Sequence, residues 1–521
     1  VTRWFSTKSV SRLIVALLFF LVFGAVALGV YAMSNAFFRS LTIYGQFGQM
    51  TAQYIIHAAI IIILWLALGS SVASAGGLLV SSPPSLSYIL ALPVSPRALN
   101  IWLFTKAVAA TFLLMIFAFV PIGAAYANAF GVWNAFFLVR ILLMLFCIVL
   151  ISSAVGMVAG LVSVGWFRGR EYPAAVVGIT VFFSAMVGIL RLIFPPALSK
   201  LYDIPASMFL PLYNSLPLNN PMLPTAWMAR TVTGGVSAAT LVVLGLTAVV
   251  VLVCLEIQRV QLVPTLLRIR SSGHTGRVSQ KGFKAFGHTG VPLVLKDWFS
   301  IVRLPSETGY GLFLGSVAAF FFLMLSVGVG HQLREGTWVI QLTVFSFAWI
   351  AFFATAFFLR FLFPLVAREG SSAWHIFTIP IPRSRILLAK ILLGVLFSVP
   401  VMVFAGLVWY LLPFAGVART QLVGVSIVFV LILALLQVLV GAILPNFSQG
   451  NDPEKVSTSG MGLLALLVSG LLVTLTAQLI RYMMLGYVGG IFFIAILLVA
   501  GTVFLLLLWA LSRELMKRWE W

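Results

Sequence analysis

Carboxylates are scarce in this sequence: eleven Asp and Glu stand against 32 Lys and Arg in 521 residues. Acid–base catalysis, metal binding and proton relay draw on carboxylates or histidines, so the few present bound what the chain can do. No Asp or Glu falls in the middle third of any predicted membrane span, and Glu256 sits close to the inner end of one. His57 lies inside an apolar stretch and reads as a hydrogen-bonding group between helices rather than a relay. Cys147 and Cys254 also lie in apolar stretches, which excludes a disulfide framework and a thiolate metal site. His274 and His288 sit in two copies of Gly-His-Thr-Gly with no Cys or carboxylate beside them, a poor metal-ligand set. The sequence contains no GxxxxGK[ST] phosphate loop, no metalloprotease helix motif and no nucleophile elbow. The chain is therefore expected not to be an enzyme and to bind no cofactor; any energy it uses must come from a partner.

What remains is a pair of matched loops. Ser85-Leu86-Ser87-Tyr88-Ile89-Leu90-Ala91-Leu92-Pro93 and Ser372-Ala373-Trp374-His375-Ile376-Phe377-Thr378-Ile379-Pro380 each fall between two long apolar stretches. Leu86, Ile89 and Leu90 repeat at helical spacing, as do Ala373, Ile376 and Phe377, giving each loop a short helix with one apolar face. Ser85, and Ser371 or Ser372, are its expected N-caps, and Pro93 and Pro380 its stops. Arg97, Arg383 and Arg385 follow near the membrane surface. Such a helix, clamped between two spans, is a lever; the bland alternative is a loop resting on lipid headgroups. Arg368-Glu369-Gly370 precedes the second loop, whereas Ser81-Ser82-Pro83 holds that place before the first. Glu369 is in reach of Arg368, Arg383 or a basic partner surface, and as a plain surface ion pair it would contribute about 0–1 kcal/mol.

The elements that position these loops are membrane helices. Hydrophobic residues make up 62% of the chain and charged residues 8%, with mean hydropathy +1.14, against roughly 25% charged in soluble domains. Apolar runs of about 20 residues, enough to cross a bilayer core, recur throughout. They predict an all-α, polytopic integral membrane protein with twelve spans in two sets of six, a pseudo-twofold 6+6 repeat. The spans are placed near 13–33, 54–80, 104–126, 136–165, 173–194 and 235–258, then 308–330, 337–366, 386–413, 420–444, 460–480 and 489–512. The first run, about Leu13 to Tyr31, is expected to be a retained anchor rather than a signal peptide. Trp4-Phe5-Ser6 before the first stretch is matched by Trp298-Phe299-Ser300 before the seventh. The expected domains are a first half, 1–258, a basic cytoplasmic linker and interfacial segment, 259–305, and a second half, 306–521. Most Lys and Arg fall on one side if both termini are cytoplasmic, which sets the orientation and accounts for the net charge of +21 without nucleic acid. The linker carries Arg259, Arg268, Arg270, Arg277, Lys281, Lys284, Lys296 and Arg303 against Asp297 alone, a composition suited to anionic lipid. Outside, the loop before the sixth span holds Pro195, Pro196, Pro205, Pro211, Pro217, Pro221 and Pro224 among apolar residues including Trp227. It is expected to dip into the membrane or pack on its outer face.

These residues resemble the membrane subunits of bacterial ATP-binding-cassette (ABC) exporters, in the long form with two fused six-span halves. The likeness rests on Leu295-Lys296-Asp297-Trp298, on Arg368-Glu369-Gly370 with Trp374, Pro380 and Lys390, on Asn219-Asn220-Pro221-Met222-Leu223-Pro224-Thr225-Ala226-Trp227, and on Leu444-Pro445-Asn446-Phe447 with Asn451-Asp452-Pro453-Glu454-Lys455. The resemblance implies a plasma-membrane permease and a separate cytoplasmic ATPase, two copies, carrying ATP and Mg and docked on the loop helices. It also implies a partly re-entrant outer segment around Pro221, Pro224 and Trp227, an interfacial segment at Lys296, Asp297 and Trp298, and a path lined by spans 2, 5, 8 and 11. With no intramembrane acid, a hydrophobic or amphipathic cargo is expected. The competing readings are an ATP-independent secondary carrier and a membrane scaffold or sensor without transport.

Overall fold

A computed structural model describes residues 7–80, 95–166, 171–193, 211, 213–220, 222–235, 237–271, 291–302, 305–328, 337–372, 383–412, 418–443, 445, 447, 456–457, 459–487 and 489–517. These are helical almost throughout, with no strand among the described residues. The helices are α1 (Thr7–Thr42), α2 (Gly45–Val80), α3 (Pro96–Ala129), α4 (Ala135–Trp166), α5 (Glu171–Ile193), α6 (Pro224–Gly234) and α7 (Ala238–Ser271). Then come α8 (Val291–Val302), α9 (Pro305–Gly328), α10 (Thr337–Phe361), α11 (Arg383–Leu411), α12 (Arg419–Ile443), α13 (Gly460–Met484) and α14 (Gly490–Lys517).

Among the described residues, eight helices are long and apolar enough to cross a membrane: α2, α4, α7, α10 with the turns that follow it, α11, α12, α13 and α14. A ninth is added if α3 counts as one span, since it bends by 42° between Leu113 and Met115. The predicted spans at 173–194 and 308–330 fall on α5 and α9, whose apolar stretches, Thr180–Ile193 and Tyr310–Leu323, are shorter. The predicted first span falls on α1, 36 residues long.

The described residues of Phe23–Val278 make one compact unit; those of Ser279–Trp521, with those of Val1–Val22, make the other. In the first unit α4 is the central helix, packed by α2, α3, α6 and α7. Its approach to α2 depends on small side chains: a Cβ on Gly156 would lie 2.6 Å from the Ser71 Cβ, and Ser152 Oγ donates to the Leu64 carbonyl at 3.1 Å. Between membrane helices, where no water is expelled on packing, such close fits and hydrogen bonds provide the attraction. In the second unit α12 takes the central place, packed by α10, α11, α13 and α14. The pairings recur: α2 with α4, α3 with α4, α4 with α7, α2 with α5 and α3 with α7 are matched by α10 with α12, α11 with α12, α12 with α14, α10 with α13 and α11 with α14.

A tight approach between helices in the second unit is at Gly441 of α12, where any Cβ would run into the Phe363 carbonyl oxygen just beyond α10. Backbone cannot rotate away as a side chain can. Gly441→Ala is therefore expected to lower stability by about 1–3 kcal/mol, while Gly406→Ala in α11, with open space around it, gains helix propensity at no steric cost. Thermal unfolding of the two variants in detergent compares them directly; equal midpoints would contradict this packing.

Candidate functional site

The second unit gathers seven charged side chains at one end of its helices. They come from segments far apart in sequence, and local chemistry explains how each arrives. In α8, Val294, Asp297 and Ile301 share one face and are buried, with Trp298 half-buried beside them, while Lys296, Phe299 and Ser300 are exposed. That face seats α8 against α9 and α11. Helix α10 ends at Phe361 because Pro364, lacking an N–H, cannot extend the ladder. The chain continues as short 3-10 turns over Phe363–Leu365 and Ala367–Ser372, and reverses at Gly370, whose φ of 54° favours glycine.

The turns leave the Leu365 carbonyl without a helical partner, and Lys390 of α11 supplies one at 3.1 Å. Lys390 is 3% exposed, and its ammonium also lies 2.6 Å from Asp297 Oδ2 and 2.6 Å from Glu369 Oε1. All three of its donors are thereby used. Lys296 closes the ring, 2.6 Å from Glu369 Oε2 and 3.7 Å from Asp297 Oδ1. Two cations and two anions alternate, so the ring is neutral. Beside it Glu307, 2% exposed at the start of α9, accepts from Arg360 at 3.2 Å and from Arg368 at 3.1 Å. An aromatic layer covers the membrane side: Trp298 packs on Phe397 with centroids 5.0 Å apart, Phe397 stacks on Phe361, and Arg360 lies 5.2 Å over the Tyr310 ring. The arrangement ties α8, α9, α10, the Ala367–Ser372 turn and α11 together where the second matched loop begins.

Two groups of sequence-predicted residues thus meet: Glu369 and Gly370 from the loop, and Lys296, Asp297 and Trp298 from the interfacial segment. Arg368, offered by sequence as a partner for Glu369, instead binds Glu307, and Glu369 is largely buried rather than a surface ion pair. Reasoning from sequence missed Glu307 and Arg360 and gave Lys390 no role. The available signal was a scarce acid or a base placed where an apolar run begins or ends. Arg97 is exposed in the first turn of α3, whose N-cap Ser95 accepts from the Ala98 N–H at 3.3 Å. Pro224 opens α6, and Trp227 packs against the first unit's core. Ser85, Tyr88, Pro93, Pro221, Trp374, His375 and Pro380 lie outside the described residues, as does the side chain of Arg383, which begins α11. Among the described residues no group of three His, Cys, Asp or Glu forms a metal site.

At the corresponding end of the first unit the charged pair Glu256–Arg259 is exposed, and the described side chains buried between the helices are neutral. Asn100 Nδ2 donates to the Leu255 carbonyl at 3.1 Å and Gln258 Nε2 to the Ala154 carbonyl at 3.0 Å, both side chains buried.

A family model described as a putative ATP-binding cassette matches residues 6–489. No curated protein and no solved structure matches the chain.

Removing one member of a buried ion network leaves the others unpaired, which costs more than the network contributes when whole. Lys390→Met is expected to destabilise the purified protein by about 3–5 kcal/mol, because Asp297 and Glu369 then share the exposed Lys296 alone. Lys390→Met with Asp297→Asn leaves the Lys296–Glu369 pair intact and should unfold at a higher temperature than Lys390→Met. A double variant less stable than the single one would refute the ring.

Proposed function

This chain belongs to the putative ATP-binding cassette family, and from that premise we propose that it is the membrane permease subunit of an ATP-driven exporter. ATP hydrolysis resides in a separate cytoplasmic ATPase. Two features support the division of labour. The matched residues, 6–489, cover seven of the eight long apolar helices, and no lysine in the sequence follows a glycine, so the Gly-Lys pair that a phosphate loop needs is missing.

The observation that carries the reading is the Lys390 ring. A force applied just beyond Ser372 acts on a turn that is ion-paired, through Glu369, to α8 and α11 at once. Closure of an ATPase dimer would press on residues Ser85 to Arg97 and Glu369 to Arg385, and the second contact would pass into α8, α10 and α11 through buried charges. In this reading twelve spans form two six-helix halves with both termini in the cytoplasm of a bacterial cell. Two ATPase copies, each holding ATP and Mg, dock below. The path between alternates access for a hydrophobic or amphipathic cargo, since no carboxylate lies mid-span to drive ion coupling.

Purification of the tagged chain from its native membrane in mild detergent, with masses of everything bound, tests the partner. Two copies of a phosphate-loop ATPase per chain are expected; none, where a control ABC complex survives, would favour a carrier or scaffold. Glu369→Gln tests the joint. It should insert and retain ATP hydrolysis in the complex, yet move about tenfold less cargo per ATP, a coupling loss within the usual 1–3 kcal/mol range. Unchanged transport per ATP in that variant would sink the lever.

A further inference from the structure

The first unit holds a second polar site, near the middle of the span in α2. The span in α2 runs Gly45–Val72, and His57 lies near its middle, about 18 Å from its start at about 1.5 Å per residue. His57 Nε2 and Thr225 Oγ1, in the first turn of α6, are 2.8 Å apart. The chain entering α6 lies deep as well. Tyr213 donates to the Met50 carbonyl at 2.9 Å, and Leu216 and Leu218 pack with Tyr54, Ala58 and Ile61. Non-helical backbone at such depth persists only where protein covers it or water lines it. From Thr225 the helix climbs back to Gly235, where a φ of 109° turns the chain toward α7.

One face of α6, formed by Ala226, Met228, Ala229, Thr231 and Val232, is buried against α2, α4 and α7. Pro224, Arg230 and Gly234 on the helix are exposed. Two arginines lie at this helix, with different fates. Arg140 of α4 is consumed by its C-terminal end: the guanidinium is 3.5 Å from the Thr231 carbonyl and 5.4 Å from the Phe137 ring centroid, a cation on helix carbonyls. Arg230 makes no hydrogen bond or ion pair among the described residues. A guanidinium at span depth requires water or a counter-ion. The sequence supplies few acids on this side, where Arg39, Arg140, Arg191, Lys200 and Arg230 face Asp203 alone, against the usual inward bias of basic residues.

We infer that the exposed face of α6 borders a water-filled vestibule in which Arg230 binds the phosphate of a molecule entering from that side. The guanidinium fork matches phosphate oxygens in two parallel hydrogen bonds, and a membrane-depth setting strengthens each. The site stands or falls independently of any ATPase.

The test places a cysteine at Thr233, half-buried one turn beyond Arg230, in a chain with Cys147→Ala and Cys254→Ala. The full chain sits in nanodiscs of zwitterionic lipid, so both membrane faces meet the reagent. An anionic methanethiosulfonate should react at least about fivefold faster than a cationic one, the effect of one unit charge nearby. Adding Arg230→Gln should abolish the preference and Arg230→Lys should keep it. Inorganic phosphate slowing the anionic reagent identifies a soluble phosphate as the ligand; slowing only when the disc contains phosphatidylglycerol identifies a lipid headgroup. No reaction with either reagent, equal rates, or rates indifferent to both phosphate sources would overturn the site.

Discussion

A lysine ammonium that is nearly inaccessible to water sets the terms for one end of the second unit. Lys390 persists there only because three acceptors meet it, and each acceptor fixes a different piece of chain. Asp297 fixes the roll of α8, since its neighbours Val294 and Ile301 must then face the bundle. Glu369 fixes the last turn before the second matched loop. The Leu365 carbonyl becomes available because Pro364 ends the helical ladder one turn after Phe361. Buried ion pairs add little net stability compared with well-packed apolar residues, because desolvation offsets their attraction. What the ring supplies is geometry: α8 and the loop's entry cannot shift against α11 without exposing or stranding a charge.

The other unit reaches a similar helix arrangement with different chemistry. The same helix pairs form, yet Asn100 and Gln258 join α3, α4 and α7 through single bonds to backbone carbonyls, each worth about 1 kcal/mol net. Those carbonyls already serve the helix ladder, so losing the amide strands no charge. A repeat of helix pairing therefore coexists with an asymmetry of bonding, buried charges in one unit and buried amides in the other.

Much of this was legible in sequence because the membrane imposes simple rules. Apolar run length predicted the twelve long helices but not the short α6 and α8, and the prolines between Pro195 and Pro224 marked the segment from which α6 emerges at span depth. The paired Trp298 and Glu369 segments drew attention through the internal repeat. The ring itself was not legible. Asp297 and Lys390 are 93 positions apart and Glu307 and Arg368 are 61 apart, and no periodicity links residues at such separations. Among the described residues, eight of the twelve predicted spans fall on helices long and apolar enough to cross a membrane.

The distribution of charge joins the two polar sites into one argument. Acids are rare, and among the described residues of the second unit three of them, Asp297, Glu307 and Glu369, lie together where three bases, Arg360, Arg368 and Lys390, are largely taken out of water. Carboxylates have been placed where a buried cation would otherwise be stranded. Arg230 breaks that pattern: a cation at span depth with no protein anion among the described residues and an exposed position on a helix whose other face is fully used. The same desolvation rule that explains the ring requires something to answer Arg230, and water with a phosphate from outside the chain is the answer that needs no acid the sequence lacks.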